Sequence, residues 1–373
     1  MKYIFLFFVL LLIACKTNSE KKEQDGYIIE GYLTNFKDST LLLLQDLKIS
    51  KTIDSTFVID NKFTLSGKVM EPGQYILQTK FDPNDQNSFK YFFFWIDNSN
   101  INITGDFENF KYAKVEGSEL HKLAQELGDK QMELDKRREL VVDSIQSEKG
   151  DRQGLIKEMH RIDSIRTALT MQFIRTKPNN PVSIHQLTFF NDQFTKEELG
   201  KIYNSLDEDL KESTNGKVLR NYLSIDKILE KGDDIAEVKG SKLNGDTLAL
   251  SDIIQNNEYT ILDFWAAGCG PCRMQSKQYT QLYEKYKDKG LEIVSFSLDK
   301  NRKDWERASK EDNISWINIS DLMGANAMVP MTYGVKGIPN SFLINKKGVI
   351  VAELLGFDTE NPPFSKELTE FFD

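Results

Sequence analysis

The sequence predicts a multidomain chain: an N-terminal antiparallel β sandwich or barrel, a middle α-helical region and a C-terminal α/β domain. Three observations divide it. Short strand-like runs about ten residues apart, broken by Asp, Asn, Gly and Pro, fill residues 26–117. Apolar residues then fall at helical steps over residues 118–232. From residue 233 to 373 strand and helix patterns alternate, and one buried-strand pattern runs straight into two cysteines, Cys269 and Cys272. With 373 residues the chain is long enough for two or three cores.

Ahead of these parts stand Lys2 and an apolar run over residues 3–14. The charged start and short apolar core predict a secretory signal over residues 1–14. The run is about a dozen residues, well short of the roughly 20 that a spanning helix needs. Leu12-Ile13-Ala14-Cys15 resembles a bacterial lipobox, which implies cleavage before Cys15 and lipid on its sulfur. Residues 15–25, polar and charged, then form a tether. This also accounts for the third of the three cysteines and leaves Cys269 and Cys272 as a pair. So few cysteines mean cores held by packing rather than by disulfides. The net charge of −9 argues against nucleic acid, which needs a basic face, and no later stretch is apolar enough to span a bilayer.

Strands are expected at residues 27–33, 40–44, 56–59, 62–67, 74–79, 91–96 and 100–105. Asp82, Asn84, Asp85 and Asn87 could suggest calcium. The sixth loop position, however, is Asn87 rather than Gly, and Phe93 falls where the bidentate acid belongs, so a solvated hairpin loop is expected. In the middle region Leu123, Leu127, Leu134, Val141 and Ile145 share one helical face. Leu155, Met159, Ile162, Leu169 and Phe173 share another, with Gly150-Asp151 breaking between them. This is a helical hairpin, and because the heptad is not sustained it is a packed spacer rather than a coiled coil. Pro178 and Pro181 end it, and shorter helices are expected over residues 181–190, 195–210 and 217–229. Lys231-Gly232-Asp233-Asp234 marks the boundary to the last domain.

There, residues 259–264 are β-branched or aromatic at most positions and follow polar Asn256 and Asn257, the pattern of a buried strand. Tyr279, Leu282, Tyr283 and Tyr286 give the next segment helical spacing, with Pro271 in the first turn, where a residue without an N–H is tolerated. Residues 291–298 form a further strand and 303–311 a helix. Residues 340–344 and 349–354 pair across Lys346-Lys347-Gly348, and 364–372 close the domain as a helix. Cys269 therefore stands at a helix N-terminus, where free N–H groups and the positive dipole end favour the nucleophilic thiolate. Cys272, one turn further in, is placed to resolve the mixed disulfide that Cys269 forms.

Cys269-Gly270-Pro271-Cys272, in its strand–turn–helix setting, resembles the thioredoxin superfamily, in particular its envelope-anchored TlpA/ResA-like members. The resemblance implies a thioredoxin fold over residues 233–373 and a redox-active Cys269–Cys272 disulfide with no other cofactor. Tyr333-Gly-Val-Lys-Gly-Ile338-Pro339-Asn-Ser-Phe resembles the family's loop with a cis-proline. That implies a cis Ile338–Pro339 bond against the cysteines, with the backbone near Ile338 open to a partner's extended chain. Trp265, Gly270, Pro271, Ile338 and Pro339 would then form the substrate groove. Asp263 matches the family's buried acid that handles the proton of the second cysteine; a carboxylate in so apolar a strand needs a partner or a raised pKa. Three positions depart from the pattern: Gly268 for Trp, Gln275 for the Glu of envelope-anchored relatives, and Asn340 for Thr. Ile53-Asp54-Ser55 and Lys62-Phe-Thr-Leu-Ser-Gly, in turn, resemble the DUF4369-like β domain of unknown function found ahead of such modules in Bacteroidetes lipoproteins.

Competing readings fare worse. Zinc wants four ligands, and His121, His160 and His185 lie far upstream, so no metal is expected. A purely structural bridge would close too short a loop to constrain the unfolded chain. The peroxidase branch carries Thr three residues before its cysteine, where this chain has Ala266. The expected protein is a lipid-anchored thiol-disulfide oxidoreductase of the bacterial envelope, facing the periplasm. It reduces disulfide-bearing envelope proteins and is itself reduced by a membrane-embedded thiol donor, the Gly-Pro between its cysteines matching reducing thioredoxin. The alternatives are a partner-binding lipoprotein with secondary redox activity, and a peroxiredoxin-like peroxidase.

Overall fold

The structure, a computed structural model, describes residues 25–47, 51–147 and 149–373. The apolar run of residues 1–14, Cys15 and nearly all of the tether lie outside the described residues. The chain divides into two compact units, Met1–Glu126 and Leu127–Asp373.

In the first unit the strands are β1 (Tyr27–Thr34), β2 (Thr40–Asp46), β3 (Lys51–Val58), β4 (Lys62–Gly67), β5 (Gly73–Thr79), β6 (Tyr91–Ile96), β7 (Asn100–Asp106) and β8 (Lys114–Glu116). They form two sheets, β4-β1-β7-β8 and β3-β2-β5-β6. Alternate side chains of both, Ile29, Leu33, Phe63 and Ile101 from one and Leu42, Leu77, Phe92 and Phe94 from the other, fill a single core. The result is a sandwich, and neither sheet closes into a barrel. It is not wholly antiparallel: β1 runs parallel to β7, Ile29 opposite Ile101. A period-two pattern is the same for both strand directions, so the sequence could not signal this pair.

The second unit takes in most of α1 (Glu119–Gln146), followed by α2 (Arg152–Thr176), which is capped by Asp151 accepting the amides of Gln153 and Gly154. The two helices are cross-linked by Arg138 on Asp163 at 2.7 Å and by Gln131 donating to Thr170 at 3.0 Å. Then come α3 (Pro181–Phe190), α4 (Lys196–Asn204), α5 (Glu208–Glu212) and α6 (Thr214–Ser224). The single helix expected over 195–210 is two, because Leu206 turns into the core and the Asp207 amide donates to the Asn179 side chain at 2.9 Å. The helix expected over 217–229 starts earlier, capped by Ser213, and stops at Ser224. Ile225 is extended instead (ψ 116°), and its apolar neighbours pack elsewhere.

The last domain carries β9 (Lys239–Lys242), β10 (Thr247–Ala249), α7 (Leu250–Ile254), β11 (Tyr259–Trp265), α8 (Gly270–Tyr286) and β12 (Leu291–Ser297). It continues with α9 (Arg302–Glu311), β13 (Ile317–Ser320), α10 (Met328–Thr332), β14 (Asn340–Asn345), β15 (Ile350–Leu355) and α11 (Ser365–Phe372). One sheet, ordered β10-β9-β13-β12-β11-β14-β15, puts β11 between parallel β12 and antiparallel β14. Leu262 and Phe264 face one apolar cluster with Val294, Phe296 and Phe342. Ile261 faces the other, under Tyr279, Leu282 and Tyr286 of α8. Since side chains alternate, Asp263 and Trp265 lie on the face that α8 covers. The short elements β9, β10, α7, β13 and α10 were not expected; each is too brief to show a period.

Candidate functional site

The turn after β11 delivers Cys269 to the N-cap of α8, where its sulfur accepts the Cys272 amide at 3.2 Å. Pro271 occupies the first turn, as a residue lacking an N–H can. Cys269 and Cys272 form a disulfide. Their exposure is unequal: Cys269 is half-buried, Cys272 only 2 % exposed. The Ile338–Pro339 bond is cis, and the Cys269 sulfur lies 3.7 Å from the Ile338 carbonyl oxygen. Pro339 is buried, and its own carbonyl accepts the Gly356 amide at 2.8 Å. Gly268, Gly270 and Pro271 are exposed, and a Cβ on Gly268 would meet nothing within 4 Å, so the rim there is open.

Trp265 differs from its expected place. It is 1 % exposed and packs with Cys272, Trp305 and Ala308, which makes it the floor under the disulfide rather than a groove wall. Two residues that the sequence reading missed hold the turn. The Asp299 carboxylate accepts the Ala267 amide at 2.9 and 3.1 Å and the Ser297 hydroxyl at 2.8 Å. Arg273 donates to the Ala267 carbonyl at 3.4 Å while paired with Glu311 at 2.9 Å and with Asp312. A cation in the first turn of a helix opposes the dipole. That was a usable sign that Arg273 has partners of its own.

Beneath α8 lies a buried polar network. Asp263 sits in register between Ser295 of β12 and Ser341 of β14. Its carboxylate accepts from Ser341 at 3.0 Å, from Gln275 at 3.2 Å and from Ser295 at 3.2 Å. Gln275 also donates to Tyr279 at 3.0 Å, Tyr279 donates to Ser341 at 2.8 Å, and the Trp316 indole donates to Ser295 at 2.9 Å. These hydrogen bonds to Asp263 all come from uncharged groups. Burial pushes its pKa up to about 6, and the donors from Ser341, Ser295 and Gln275 pull back only part of that rise. Such a carboxyl can hold or release a proton near neutral pH. Gln275 adds a donor to Asp263 and no second titrating group. Asn340 is 1 % exposed and donates to Glu353 at 3.3 Å.

Residues 231–353 match the AhpC/TSA family, and residues 27–124 match DUF4369, a domain of unknown function. The chain is 29% identical over 141 residues to the thiol-disulfide oxidoreductase ResA of Bacillus cereus, a match covering 38% of this chain and 79% of that protein. With ResA of Bacillus subtilis it shares 26% over 133 residues, 36% of this chain and 72% of that one. It is also similar to the solved thioredoxin domain of a thiol-disulfide oxidoreductase from Bacteroides vulgatus, with 28% identity and a TM-score of 0.36 over 39% of this chain and 99% of that one.

Proposed function

We propose that this chain, a thioredoxin-like thiol-disulfide oxidoreductase with a DUF4369 domain ahead of its AhpC/TSA domain, reduces disulfides in exported proteins of the bacterial envelope. The observation that carries the reading is the Cys269 sulfur, N-cap of α8 and 3.7 Å from the Ile338 carbonyl. Reduced Cys269 attacks one sulfur of a client disulfide, and the client's other sulfur leaves as a thiolate. Cys272 gives its proton to Asp263 and attacks the Cys269 sulfur, which expels the client's second thiolate and closes the Cys269–Cys272 disulfide. Two electrons reach the client. A thiol donor embedded in the membrane returns them, and the cycle needs no cofactor beyond the disulfide. Gly270 and Pro271 on the rim, with Ile338 and Pro339, form the groove.

The Gly-Pro between the cysteines supports the reducing direction. Thioredoxin and the strongly oxidising members differ by roughly 150 mV, about 7 kcal/mol for two electrons. Equilibration of full-length protein against a glutathione series is expected to place the pair well below about −180 mV, the level of disulfide isomerase. A value above that makes the protein an oxidant or isomerase. A peroxidase reading draws on the AhpC/TSA match; rapid oxidation of Cys269 by peroxide, faster than its exchange with a protein disulfide, would favour it.

Anchoring at Cys15 belongs to the same reading, supported by Leu12-Ile13-Ala14-Cys15. Among the described residues no helix is long and apolar enough to cross a membrane. Cys15→Ser is expected to abolish lipid labelling and release the protein from the membrane fraction. Retention of the variant at high salt would put the anchor elsewhere.

A further inference from the structure

The end of the helical region lies against the loop that leads to Ile338. Past α6 the chain runs extended beside α10, and the Leu229 amide donates to the Thr332 carbonyl at 2.9 Å. The Ser224 hydroxyl is 3.9 Å from the Met328 sulfur. Leu229, Ile235 and Ala236 pack into the same apolar cluster as Tyr333, Val335 and Ile338. The segment then joins the edge of β15: Gly232 donates to Ile350 and Ile235 to Gly348, both at 2.8 Å, and Ile350 donates back to Asp233 at 2.9 Å. From a second side, the 3-10 turn Asn191–Gln193 supplies Asp192, whose carboxylate holds the Lys336 ammonium at 2.5 Å, two residues before Ile338. The fit is close. Gly334 has φ +66°, and a Cβ there would come within 2.7 Å of the Ile228 side chain.

We infer that this clasp, made by residues 225–236 and Asp192, is a positioning element for client recognition: it fixes the loop that offers the Ile338 carbonyl, and so favours disulfides carried on extended polypeptide over small free disulfides. The inference rests on the oxidoreductase reading and names its substrate class. A carbonyl beside the reacting sulfur is a hydrogen-bond acceptor that a client's backbone N–H can fill, whereas a small aromatic disulfide has no such donor. The neighbouring Pro339 carbonyl is already bonded to Gly356, which leaves the Ile338 carbonyl as the one facing Cys269. Loops stay accurately placed only where packing and main-chain bonds hold them, and here the contacts from Asp192, Ile228 and Leu229 come from ahead of the thioredoxin-like domain.

The test uses the full chain with Leu229→Asp, which puts a charge into the cluster behind Ile338. The rate of insulin disulfide reduction is expected to fall about tenfold, the worth of roughly one main-chain hydrogen bond, through KM rather than kcat. Reduction of 5,5′-dithiobis(2-nitrobenzoic acid) is expected to stay within about twofold, since it needs no such bond. Amide exchange over residues 328–338 should quicken. An equal fall with both disulfides, or no fall with either, overturns the inference. Should Leu229→Asp not fold, Asp192→Lys provides the second arm: about a threefold fall with insulin, as expected for an exposed ion pair, restored by the swap Asp192→Lys with Lys336→Asp. No fall, or no restoration, overturns it equally. A wild type that reduces neither disulfide would sink the oxidoreductase reading instead, and the exchange measurement would still decide whether the clasp holds the loop.

Discussion

Asp263→Asn is expected to stabilise the oxidised protein at pH 7 by about 3 kcal/mol while slowing release of a mixed disulfide roughly a hundredfold. The stability part follows from linkage. Folding raises the Asp263 pKa from 3.8 to about 6 because the carboxyl is buried, so between those values the folded state binds more protons than the unfolded state. Stability is therefore lost as pH rises through that window, and the loss is complete above it. Asn has the same shape and does not ionise. Its oxygen still accepts from Gln275 and Ser341, and its N–H can meet the Ser295 hydroxyl. The advantage of the variant should vanish below about pH 4, where Asp263 is neutral in both states. Denaturant unfolding from pH 4 to 8, followed by fluorescence of Trp265, Trp305 and Trp316, measures it. A flat difference across that range would mean that Asp263 does not titrate there. The kinetic part separates function from stability: initial attack by Cys269 should be nearly unchanged, and only the step that deprotonates Cys272 should slow. Equal slowing of both steps, or of neither, removes Asp263 from proton handling.

That network also shows where the sequence stopped being readable. Asp263 was conspicuous as a lone carboxylate in an apolar strand, and Cys269 with Pro271 marked a helix start through local chemistry alone. Ser295 and Ser341 were just as polar within apolar strands, but nothing local says that β12 and β14 flank β11 in a register that sets both serines beside Asp263. Trp265 illustrates the opposite failure. A residue at the end of a strand next to the cysteines can face the groove or the floor, and the alternation that puts it under α8 is fixed only once Asp263 is known to share that face. In the β domain the alternating runs were legible and the parallel β1–β7 pair was not, since pairing direction depends on partners far away in the chain. The helix ending at Ser224 failed for a related reason: Leu229 continues the helical spacing, yet its apolar surface and its amide are taken by the last domain, and tertiary contacts override a weak local preference.

Cys272→Ser is expected to lower steady-state disulfide reduction by at least about a thousandfold and to leave client proteins covalently bound through Cys269. The asymmetry of the pair decides which cysteine is caught. Cys269 is half-buried at the N-cap beside the Ile338 carbonyl, whereas Cys272 is 2 % exposed under the first turn and cannot reach a bulky client. In the intact protein Cys272 attacks the mixed disulfide intramolecularly, at effective concentrations far above those of free thiols. With Ser in its place only external thiol can release the client, so the adduct persists. Non-reducing electrophoresis with mass spectrometry of the bridged peptides reads out which sulfur is joined. Cys269→Ser should form no such adducts and reduce nothing. Adducts through Cys272 in that variant, or turnover retained in Cys272→Ser, would reverse or abolish the assignment of attacking and resolving sulfur.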